Sequence, residues 1–368
     1  VQTNVLDVTA SRGTINILGI VFIAGIPVVI LAAGGYYLYS SGKPQITTLD
    51  GYLGGEKIGL FEDEEVKDVL RKNYGLELEY AKAGSLDMVT ADQEGMDYLF
   101  PSSRTALDYY RDVHGEPAKQ DIILNTPIVI YTHQMVLDAL LEQKVATERD
   151  GSFYVDMQKL TDLMLADTSW ADIGLPELYG SVSVDTTDPV KSNSGNVYAG
   201  LLANVLNGGE TVDETSVGAV LPQLKEIFSR LGYMETSSAD LFDQFLKTGG
   251  GAKPMIAGYE SQLLEFSVQN PEEYETLKED IVMLYPTPTI WSTHVLIALD
   301  DPGEQLISAL LDEKVQALAW EKHGFRTSLY SAASDVEIFP VEETCQEITQ
   351  VMEIPDYQTM KQIIDYLS

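Results

Sequence analysis

After residue 44 the chain alternates between short apolar runs and amphipathic stretches, a pattern that is typical of α/β proteins. Residues 62–73 show the helical type, because Val66, Val69 and Leu70 form an apolar stripe that ends at Gly75, a residue suited to a C-terminal cap. The pattern predicts strands at 45–52, 76–81, 96–101, 179–185, 254–257, 281–285 and 294–298. It predicts helices at 62–73, 105–113, 135–143, 157–165, 217–231, 262–267, 304–311, 313–323 and 357–367, and one more that begins near Val197.

Residues 121–132 form an apolar run that is too long for one edge strand, which favours a crossing between two lobes. We therefore predict an α/β, bilobed architecture. Lobe I comprises residues 45–130 and 287–368, and lobe II comprises residues 131–286. Two segments near 128–133 and 285–290 act as the hinge.

A long uncharged segment precedes this domain. Residues 13–42 contain no charged side chain, and the apolar part is long enough to cross a bilayer. We predict a short N-terminal segment at 1–14 and a transmembrane helix at 15–40, which makes the chain a single-pass protein of the cell membrane. A cleaved signal peptide is the alternative, although Ala32-Ala33-Gly34 is a mediocre cleavage site. No cysteine lies directly after the segment, so a lipoprotein anchor is excluded.

The charge balance excludes some partners. Residues 1–44 hold only Asp7, Arg12 and Lys43, which leaves 21 basic and 56 acidic residues in the rest of the 368-residue chain, a net charge of −35. A surface with this much negative charge repels nucleic acid, so nucleic acid is excluded as a partner. The same charge favours an extracytoplasmic location for the domain. Cys345 is the only cysteine, and no Cys/His spacing suits a metal, so no disulfide, metal site or cofactor is expected.

Three stretches carry a resemblance to a known family. They are Gly54-Gly55-Glu56-Lys57 with the acidic helix and the Tyr74-Gly75-Leu76 segment behind it, residues 187–196 running into 198–201, and residues 255–260 with 285–289 downstream. Over residues 45–330 the chain resembles the type II periplasmic-binding-protein fold, the solute-binding class of ABC importers, and within it the extracellular solute-binding proteins related to molybdate binders. The resemblance implies capture of a small-molecule ligand between the lobes, ABC permease subunits as partners, and no covalent chemistry.

The best candidate site is the polar loop at 192–195. Ser192, Asn193, Ser194 and Gly195 lie just before a predicted helix, where the first backbone N–H groups lack partners and the helix dipole is positive. Such an end accepts an oxyanion or a carboxylate without a charged side chain. Plain N-capping explains the same residues, because Ser and Asn are preferred caps regardless of function.

Other candidates follow predicted strands, where ligands of open α/β sheets bind. Arg104 and Lys57 suit an anion but suit one of the many carboxylates equally well, and Tyr259 and Glu260 fit either a cleft or a packed Tyr beside an exposed Glu. The ligand-binding candidates outside the 192–195 loop are Gly55, Lys57, Ser102, Ser103, Arg104, Tyr259 and Glu260.

Catalytic patterns are weak. Ser40-Ser41-Gly42-Lys43, Ser194-Gly195-Asn196 and Lys247-Thr248-Gly249 follow the order of penicillin-binding-protein motifs, but the first abuts the predicted membrane helix and not the start of a core helix. No catalytic residue is predicted, and an enzyme is the least favoured function. The stronger rival to a solute-binding protein is a membrane-anchored envelope scaffold or sensor that keeps the bilobed fold without transport.

Overall fold

A computed structural model describes residues 46–327 and 335–368, and ten strands lie in this part of the chain. The strands pair in the order β2-β1-β3-β9-β4-β8-β6-β5, with β7 beside β4 and β10 beside β9. They are β1 (Thr47–Leu53), β2 (Leu76–Lys82), β3 (Tyr98–Phe100), β4 (Lys119–His133), β5 (Ala146–Arg149), β6 (Ser152–Asp156), β7 (Met255–Tyr259), β8 (Ile281–Thr287), β9 (Thr289–Ala298) and β10 (Val351–Met352).

Helices separate the strands, as the alternating pattern predicted. The α-helices of the described residues are α1 (Ile58–Glu62), α2 (Glu64–Val69), α3 (Asp87–Thr90), α4 (Arg104–His114), α5 (Gln134–Glu142), α6 (Met157–Leu165), α7 (Asn193–Leu206), α8 (Val217–Arg230), α9 (Ser238–Thr248), α10 (Glu260–Gln269), α11 (Pro271–Leu277), α12 (Asp301–Leu310), α13 (Glu313–Glu321) and α14 (Tyr357–Leu367). Most of the predicted helices are confirmed to within a few residues.

The long strand β4 links two hydrophobic cores. Its first part pairs with β9, down to Pro127 opposite Trp291, and its last part pairs with β7 and β8 from Ile128 onwards. Ile123 and Leu124 are buried among the residues of β1–β3, whereas Ile128 and Ile130 are buried among the residues of β6–β8 and α5–α8. The predicted crossing at 121–132 thus corresponds to one strand shared by two cores. The lobe boundaries at 130 and 287 stay a prediction.

The first three strands run parallel, so their carboxyl ends meet at one edge of the sheet. β1 pairs in parallel with both β2 and β3. Each of the three strands is followed by a turn that leads into a helix or a 3-10 turn, at Gly55–Lys57, at Asp87 and at Arg104. This edge is where a ligand binds in an open α/β sheet, and it is where the cleft described below opens.

Two local predictions were wrong. Residues 179–185 form no strand, because Gly180 has a φ of +86° and the segment makes only two isolated bridges, Ser181 to Ser169 and Asp185 to Ile256. The helix predicted to begin near Val197 begins at Asn193, so the polar residues 193–195 form its first turn.

The helix predicted at 62–73 is confirmed to within two residues. Asp63 caps its start, α2 continues into a single π turn at Leu70–Tyr74, and Gly75 ends it at a φ of +68°, as predicted.

The C-terminal segment 335–368 packs on the core around β6–β8, on a neighbouring aromatic cluster and on α4. Phe339, Val341 and Cys345 are buried beside residues such as Tyr131 and Phe245. In α14, Met360 and Ile363 join the core around β6–β8, and the ring of Tyr357 stacks on Tyr109 of α4 with centroids 4.5 Å apart. The assignment of the whole segment to lobe I stays a prediction.

The predicted membrane helix at 15–40 lies outside the described residues. Across residues 46–327 and 335–368, every helix is too short or too polar to cross a bilayer.

Candidate ligand-binding cleft

A polar cleft of about 470 Å³ opens at the carboxyl ends of β1–β3. It is lined on one side by the turns after the three strands, and on the other by the beginnings of α7 and α9 and by the end of β7. The lining residues are Gly54, Gly55, Glu56, Lys82, Ala83, Gly84, Ser85, Asp87, Ser102, Lys191, Ser192, Asn193, Thr236, Ser237, Ser238 and Tyr259. The wall therefore consists largely of hydroxyl groups, amides and short backbone turns.

The first turn of α7 carries the centre of the site. Ser192 is its N-cap but its side chain accepts no bond from the helix, and among the described residues the backbone N–H groups of Asn193 and Ser194 have no acceptor. Gly195 N donates 2.8 Å to Thr187 Oγ1, and a Cβ at Gly195 would lie 2.1 Å from the Thr187 carbonyl oxygen. Glycine is required there because the preceding loop crosses directly over the helix start.

The Asn193 side chain ties the cleft floor together. Its amide nitrogen lies 2.9 Å from the Ser102 carbonyl oxygen, 2.9 Å from the Tyr259 hydroxyl and 3.3 Å from the Ser292 hydroxyl. Ser102 follows β3, Tyr259 ends β7 and Ser292 lies in β9, so one amide links three separate parts of the sheet. The helix start is thereby held in place before any ligand arrives.

The start of α9 faces the same space from the other side. Ser237 is its N-cap, again without a side-chain bond to the helix. The Ser237 hydroxyl instead accepts a bond of 3.0 Å from Lys82 Nζ, which reaches across from the end of β2. Two helices of 14 and 11 residues therefore direct uncapped N-termini towards one cleft. Both ends favour a negative ligand.

The charged side chains make the cleft locally less negative than the chain as a whole. Lys82 and Lys191 line it, and the only carboxylates among its lining residues are Glu56 and Asp87. The carboxylate of Glu56 is already paired with Lys57 at 2.5 Å. Burial raises the pKa of Asp87, although Lys191 opposes that rise. Lys191 lies 3.9 Å from Asp188 Oδ2, so Lys82 and the two helix N-termini supply most of the positive character of the cleft in a chain whose net charge is −34.

A buried charged network lies beneath the cleft floor. Lys57 is fully buried, and its Nζ contacts Glu56 Oε1, the Ser102 hydroxyl at 2.6 Å and His294 Nδ1 at 3.2 Å. Burial acts to raise the pKa of Glu56, but the Lys57 ammonium and the hydrogen bonds from Lys57 and Ser102 outweigh it and lower that pKa to about 2. Burial, with the Lys57 charge, holds the pKa of His294 well below its usual range, so the ring is neutral. The network fixes the turn at Gly55–Lys57 and the Ser102 hydroxyl.

The structure brings five of the predicted site residues to the cleft and leaves the others away from its surface. Gly55, Ser102, Ser192, Asn193 and Tyr259 line it. Tyr259 is buried with only its hydroxyl edge at the floor, and burial, followed by the nearby Glu56 charge, raises its pKa well above the usual range. A role in ligand binding stays a prediction for each of these residues.

The remaining candidates have other partners or positions. All the contacts of the Lys57 ammonium group lie within the buried network. The Ser194 hydroxyl is hydrogen-bonded to Thr187 Oγ1 at 2.7 Å beneath the cleft surface, next to Gly195. Ser103 caps α4, and Arg104 is exposed beside a separate cavity of about 120 Å³ behind the cleft. Glu260 is fully buried, with Arg326 Nε 2.6 Å and the Tyr285 hydroxyl 2.6 Å from its carboxylate. Glu260 is therefore neither exposed to solvent nor part of the cleft lining, in contrast to both alternatives predicted for it.

Sequence reasoning missed Lys82, Lys191 and the start of α9. The α9 signal was available, because Thr236-Ser237-Ser238 precedes an apolar stripe of Leu241, Phe242 and Phe245, which is the pattern of an N-cap before a helix. The lysines carried no local signal. Their place in the cleft depends on where β2 and the α7 loop meet in space.

This arrangement suits reversible binding of an anion. It offers backbone N–H groups, hydroxyl donors and two ammonium groups. No group of three or more His, Cys, Asp and Glu side chains in residues 46–327 and 335–368 has the geometry of a metal site.

Comparison with known proteins identifies the fold. No family model matches the sequence, and no curated protein does. The substrate binding protein of the ABC transporter from Agrobacterium tumefaciens is 11% identical with a TM-score of 0.54, over 89% of this chain and 96% of that one. The sulfate-binding protein SubI from Mycobacterium tuberculosis H37Rv is 15% identical with a TM-score of 0.52, over 85% and 95%. The periplasmic binding protein AfuA from Actinobacillus pleuropneumoniae, with exogenous fructose-6-phosphate bound, is 11% identical with a TM-score of 0.52, over 87% and 96%. The predicted type II periplasmic-binding-protein fold is thereby confirmed.

Proposed function

We propose that this protein is an extracytoplasmic solute-binding protein that captures a small anion, an oxyanion or a carboxylate, in the cleft between its lobes. The observation that carries the proposal is the convergence of the uncapped N-termini of α7 and α9 with Lys82 and Lys191 on one cavity. Helix N-termini and ammonium groups each stabilise negative charge, and here they act on the same space. A ligand that contacts both sides would stabilise the closed arrangement of the lobes.

The local charge of the cleft compensates for the negative net charge of the whole chain. A strongly acidic domain slows the approach of an anion. Because the cleft pairs Glu56 internally and presents Lys82 and Lys191, an anion that arrives there meets a favourable local field. Two proteins of the same fold carry anionic ligands by name, sulfate in one and fructose-6-phosphate in the other, which supports the same ligand class.

Thermal unfolding with a ligand panel tests this function. The panel contains sulfate, phosphate, molybdate, fructose-6-phosphate and succinate, with fructose as the neutral comparison. At a ligand concentration of 100 times Kd, binding adds about 2.7 kcal/mol to the free energy of unfolding, enough to raise Tm by a few degrees. At least one anion is expected to raise Tm, and fructose is not. A panel in which no anion shifts Tm contradicts the proposal.

A charge-matched pair of variants locates the binding. Lys82→Met removes a cleft ammonium that lies 3.0 Å from the Ser237 hydroxyl. Lys72→Met removes an exposed lysine that pairs with Asp68, away from the cleft. Isothermal titration with the best anion is expected to show about tenfold weaker binding for Lys82→Met, the loss of one charge-assisted bond, and unchanged binding for Lys72→Met. If both substitutions weaken anion binding equally, the change in affinity comes from the net charge of the protein and not from the cleft.

Delivery of the ligand to an ABC permease, from a membrane tether formed by residues 15–40, completes the proposal. The uncharged run at 13–42 supports the tether, because it is long enough to span a bilayer. Expression of the full chain followed by carbonate washing of membranes tests it. A tethered protein stays in the membrane fraction, whereas a protein processed near residue 34 is released.

A membrane-anchored scaffold or sensor without transport is the second candidate, and the C-terminal segment favours it. Because α14 contacts α4 of lobe I as well as α7 and α8 of lobe II, it opposes wide opening of the cleft. Small-angle scattering with and without the best anion separates the two functions. A decrease in the radius of gyration on binding supports capture for transport, and an unchanged radius with bound ligand supports a sensor.

A further inference from the structure

A small cavity lies behind the anion cleft, and Ser102 lines both spaces. Its walls come from the start of α4, from α7, from β9 and from the segment 351–354 that begins with β10. Its volume of about 120 Å³ is that of about four water molecules in the liquid. The cavity therefore has room for a small organic ion and not for a ligand the size of a sugar phosphate.

Three side chains of the wall carry hydrogen-bond donors that have no acceptor. Arg104, the first residue of α4, is exposed and forms no ion pair or hydrogen bond with residues 46–327 and 335–368. The Trp291 indole N–H and the Thr293 hydroxyl also lack a hydrogen-bond partner in this part of the chain. The chain holds 57 acidic residues against 23 basic ones, so a guanidinium without a carboxylate partner is available for an anion from outside.

The alternation of β9 places Trp291 and Thr293 on the same side of the sheet. The Ser292 hydroxyl lies 3.5 Å from His294 Nε2, and His294 Nδ1 lies 3.2 Å from Lys57 Nζ, so both of these residues face the buried network beneath the cleft floor. Successive side chains of a strand point to opposite faces. Trp291 and Thr293 therefore face away from that network and towards the second cavity, which both of them line.

Most of the remaining wall is apolar. It is formed by Val197, Ile290, Val351, Met352 and Ile354. The carboxylate of Glu353 is the only one among the lining residues, and it is exposed and forms no ion pair with Arg104 in the described structure. The cavity thus combines one cation and two neutral donors with an apolar surface.

We propose that this cavity is a second binding site, specific for a short-chain monocarboxylate. The Arg104 guanidinium and the donors of Trp291 and Thr293 bind the carboxylate, and the hydrocarbon chain lies on the apolar wall. A bare oxyanion such as sulfate leaves the apolar wall uncovered, and a neutral amide of the same shape lacks the charge that the guanidinium pairs with. Because β10 and residues 353–354 form part of the wall, the ligand also holds the C-terminal segment against β9.

The indole N–H signals in NMR spectra of the full-length wild-type protein test the site, because the chain has three tryptophans and Trp170 and Trp320 are buried elsewhere. Propionate is the probe, and propionamide is its neutral match. Propionate is expected to shift the Trp291 signal, which is identified by its loss in Trp291→Phe, with a Kd about tenfold or more below that of propionamide, the effect of one charge-assisted bond. Equal Kd values for the two probes, or an unshifted Trp291 signal, overturn the proposal.

Matched arginine variants then locate the carboxylate. Because Arg104 is exposed and makes no polar contact with the described residues, Arg104→Met leaves the fold intact. Arg111→Met is the control, since Arg111 lies at the other end of α4 and pairs with Asp108 and Glu116. Arg104→Met is expected to weaken propionate about tenfold or more and to leave propionamide unchanged, and Arg111→Met to change neither. Propionate that binds Arg104→Met as tightly as the wild type overturns the assignment.

The anion cleft is tested separately, because a carboxylate is also one of its proposed ligands. The propionate titration is repeated with Lys82→Met, which removes the cleft ammonium. The shift of the Trp291 signal and its Kd are expected to stay as in the wild type. A loss of this binding in Lys82→Met would place propionate in the cleft and overturn the second site. If no anion binds in the cleft, the titration of the wild type with propionate still decides whether the second site exists.

Discussion

The side-chain amide of Asn193 lies 2.9 Å from the carbonyl oxygen of Ser102 and donates a hydrogen bond to it, which connects the start of α7 to the end of β3. The two residues are 91 positions apart in the sequence. The same amide nitrogen contacts the hydroxyls of Tyr259 and Ser292. Asn193 thus holds the cleft floor in one arrangement before binding.

Asn193→Ala is expected to weaken the best anion about tenfold, because the first turn of α7 loses the bond that positions its free N–H groups, a loss of about 1–2 kcal/mol. Isothermal titration measures the change. Asn207→Ala is the matched control, since Asn207 follows the other end of α7 and bonds only the Glu210 carbonyl oxygen. Equal losses for both variants would contradict a specific role for Asn193.

Acid is expected to destabilise the protein partly through Glu56. Its pKa is lowered from 4.5 to about 2 in the folded state, so the folded state gains stability from the ionised carboxylate above pH 4.5 and loses it as the pH falls towards 2. The loss is about 3 kcal/mol.

Urea denaturation at pH 5 and at pH 2.5 measures this loss. The double variant Glu56→Gln/Lys57→Met, which removes both charges of the pair, is expected to lose less stability than the wild type between the two pH values. A double variant with the same pH dependence as the wild type would show that other carboxylates are responsible.

Arg326→Met is expected to detach the C-terminal segment from lobe II. It leaves the fully buried Glu260 without its cation and removes the bonds from Arg326 to the carbonyl oxygens of Cys345 and Gln346. Breaking a buried pair from one side costs about 3–5 kcal/mol. Cys345 is 5% exposed, so a thiol reagent that reacts slowly with the wild type is expected to label the variant rapidly.

The control for this substitution is Arg71→Met, because Arg71 forms an exposed pair with Glu77. Exposed pairs contribute about 0–1 kcal/mol, so neither the urea midpoint nor the labelling rate of Cys345 should change measurably. Slow labelling of Cys345 in Arg326→Met would mean that the segment stays bound without the ion pair.

Tyr357→Ala is expected to loosen the contact between α14 and α4. The stacked pair with Tyr109 contributes about 0.5–1.5 kcal/mol beyond its buried area. Hydrogen exchange should rise in α14 and at the end of α4, while the core strands stay protected. Tyr366→Ala, at an exposed position of the same helix, is the comparison and should leave exchange unchanged.

Much of the fold follows from local pattern, and the failures have local causes. The amphipathic stripes predicted α5, α6, α8 and α14 nearly to the residue. Residues 179–185 look like a strand because they alternate, yet Tyr179 is 99% exposed and no partner strand lies beside most of the segment. A strand needs a neighbour, and the sequence does not say whether one is present.

The candidate site was only partly predictable, for a related reason. Asn193 and Ser102 were identifiable because polar residues after strands and before helices have a local signature. Lys57 and Glu260 look like solvent-exposed charges in the sequence, yet each is fully buried because its partner, Glu56 or Arg326, lies within reach. Burial of a charge depends on the three-dimensional neighbours, and one of these two partners is 66 residues away.

The switch of β4 between its two sets of partners has a mechanical consequence. Pro127 has no N–H to donate, and the next residue, Ile128, already pairs with Tyr259 instead of the β9 strand. Bending is easiest where backbone hydrogen bonds are absent, so the hinge that the sequence predicts near 128–133 would lie beside Tyr259 and Asn193. Atoms next to that hinge would move least, whereas the 3.0 Å contact between Lys82 and Ser237 would open. The floor would then act as a fixed template, and the distance between Lys82 and Ser237 would follow the size of the ligand.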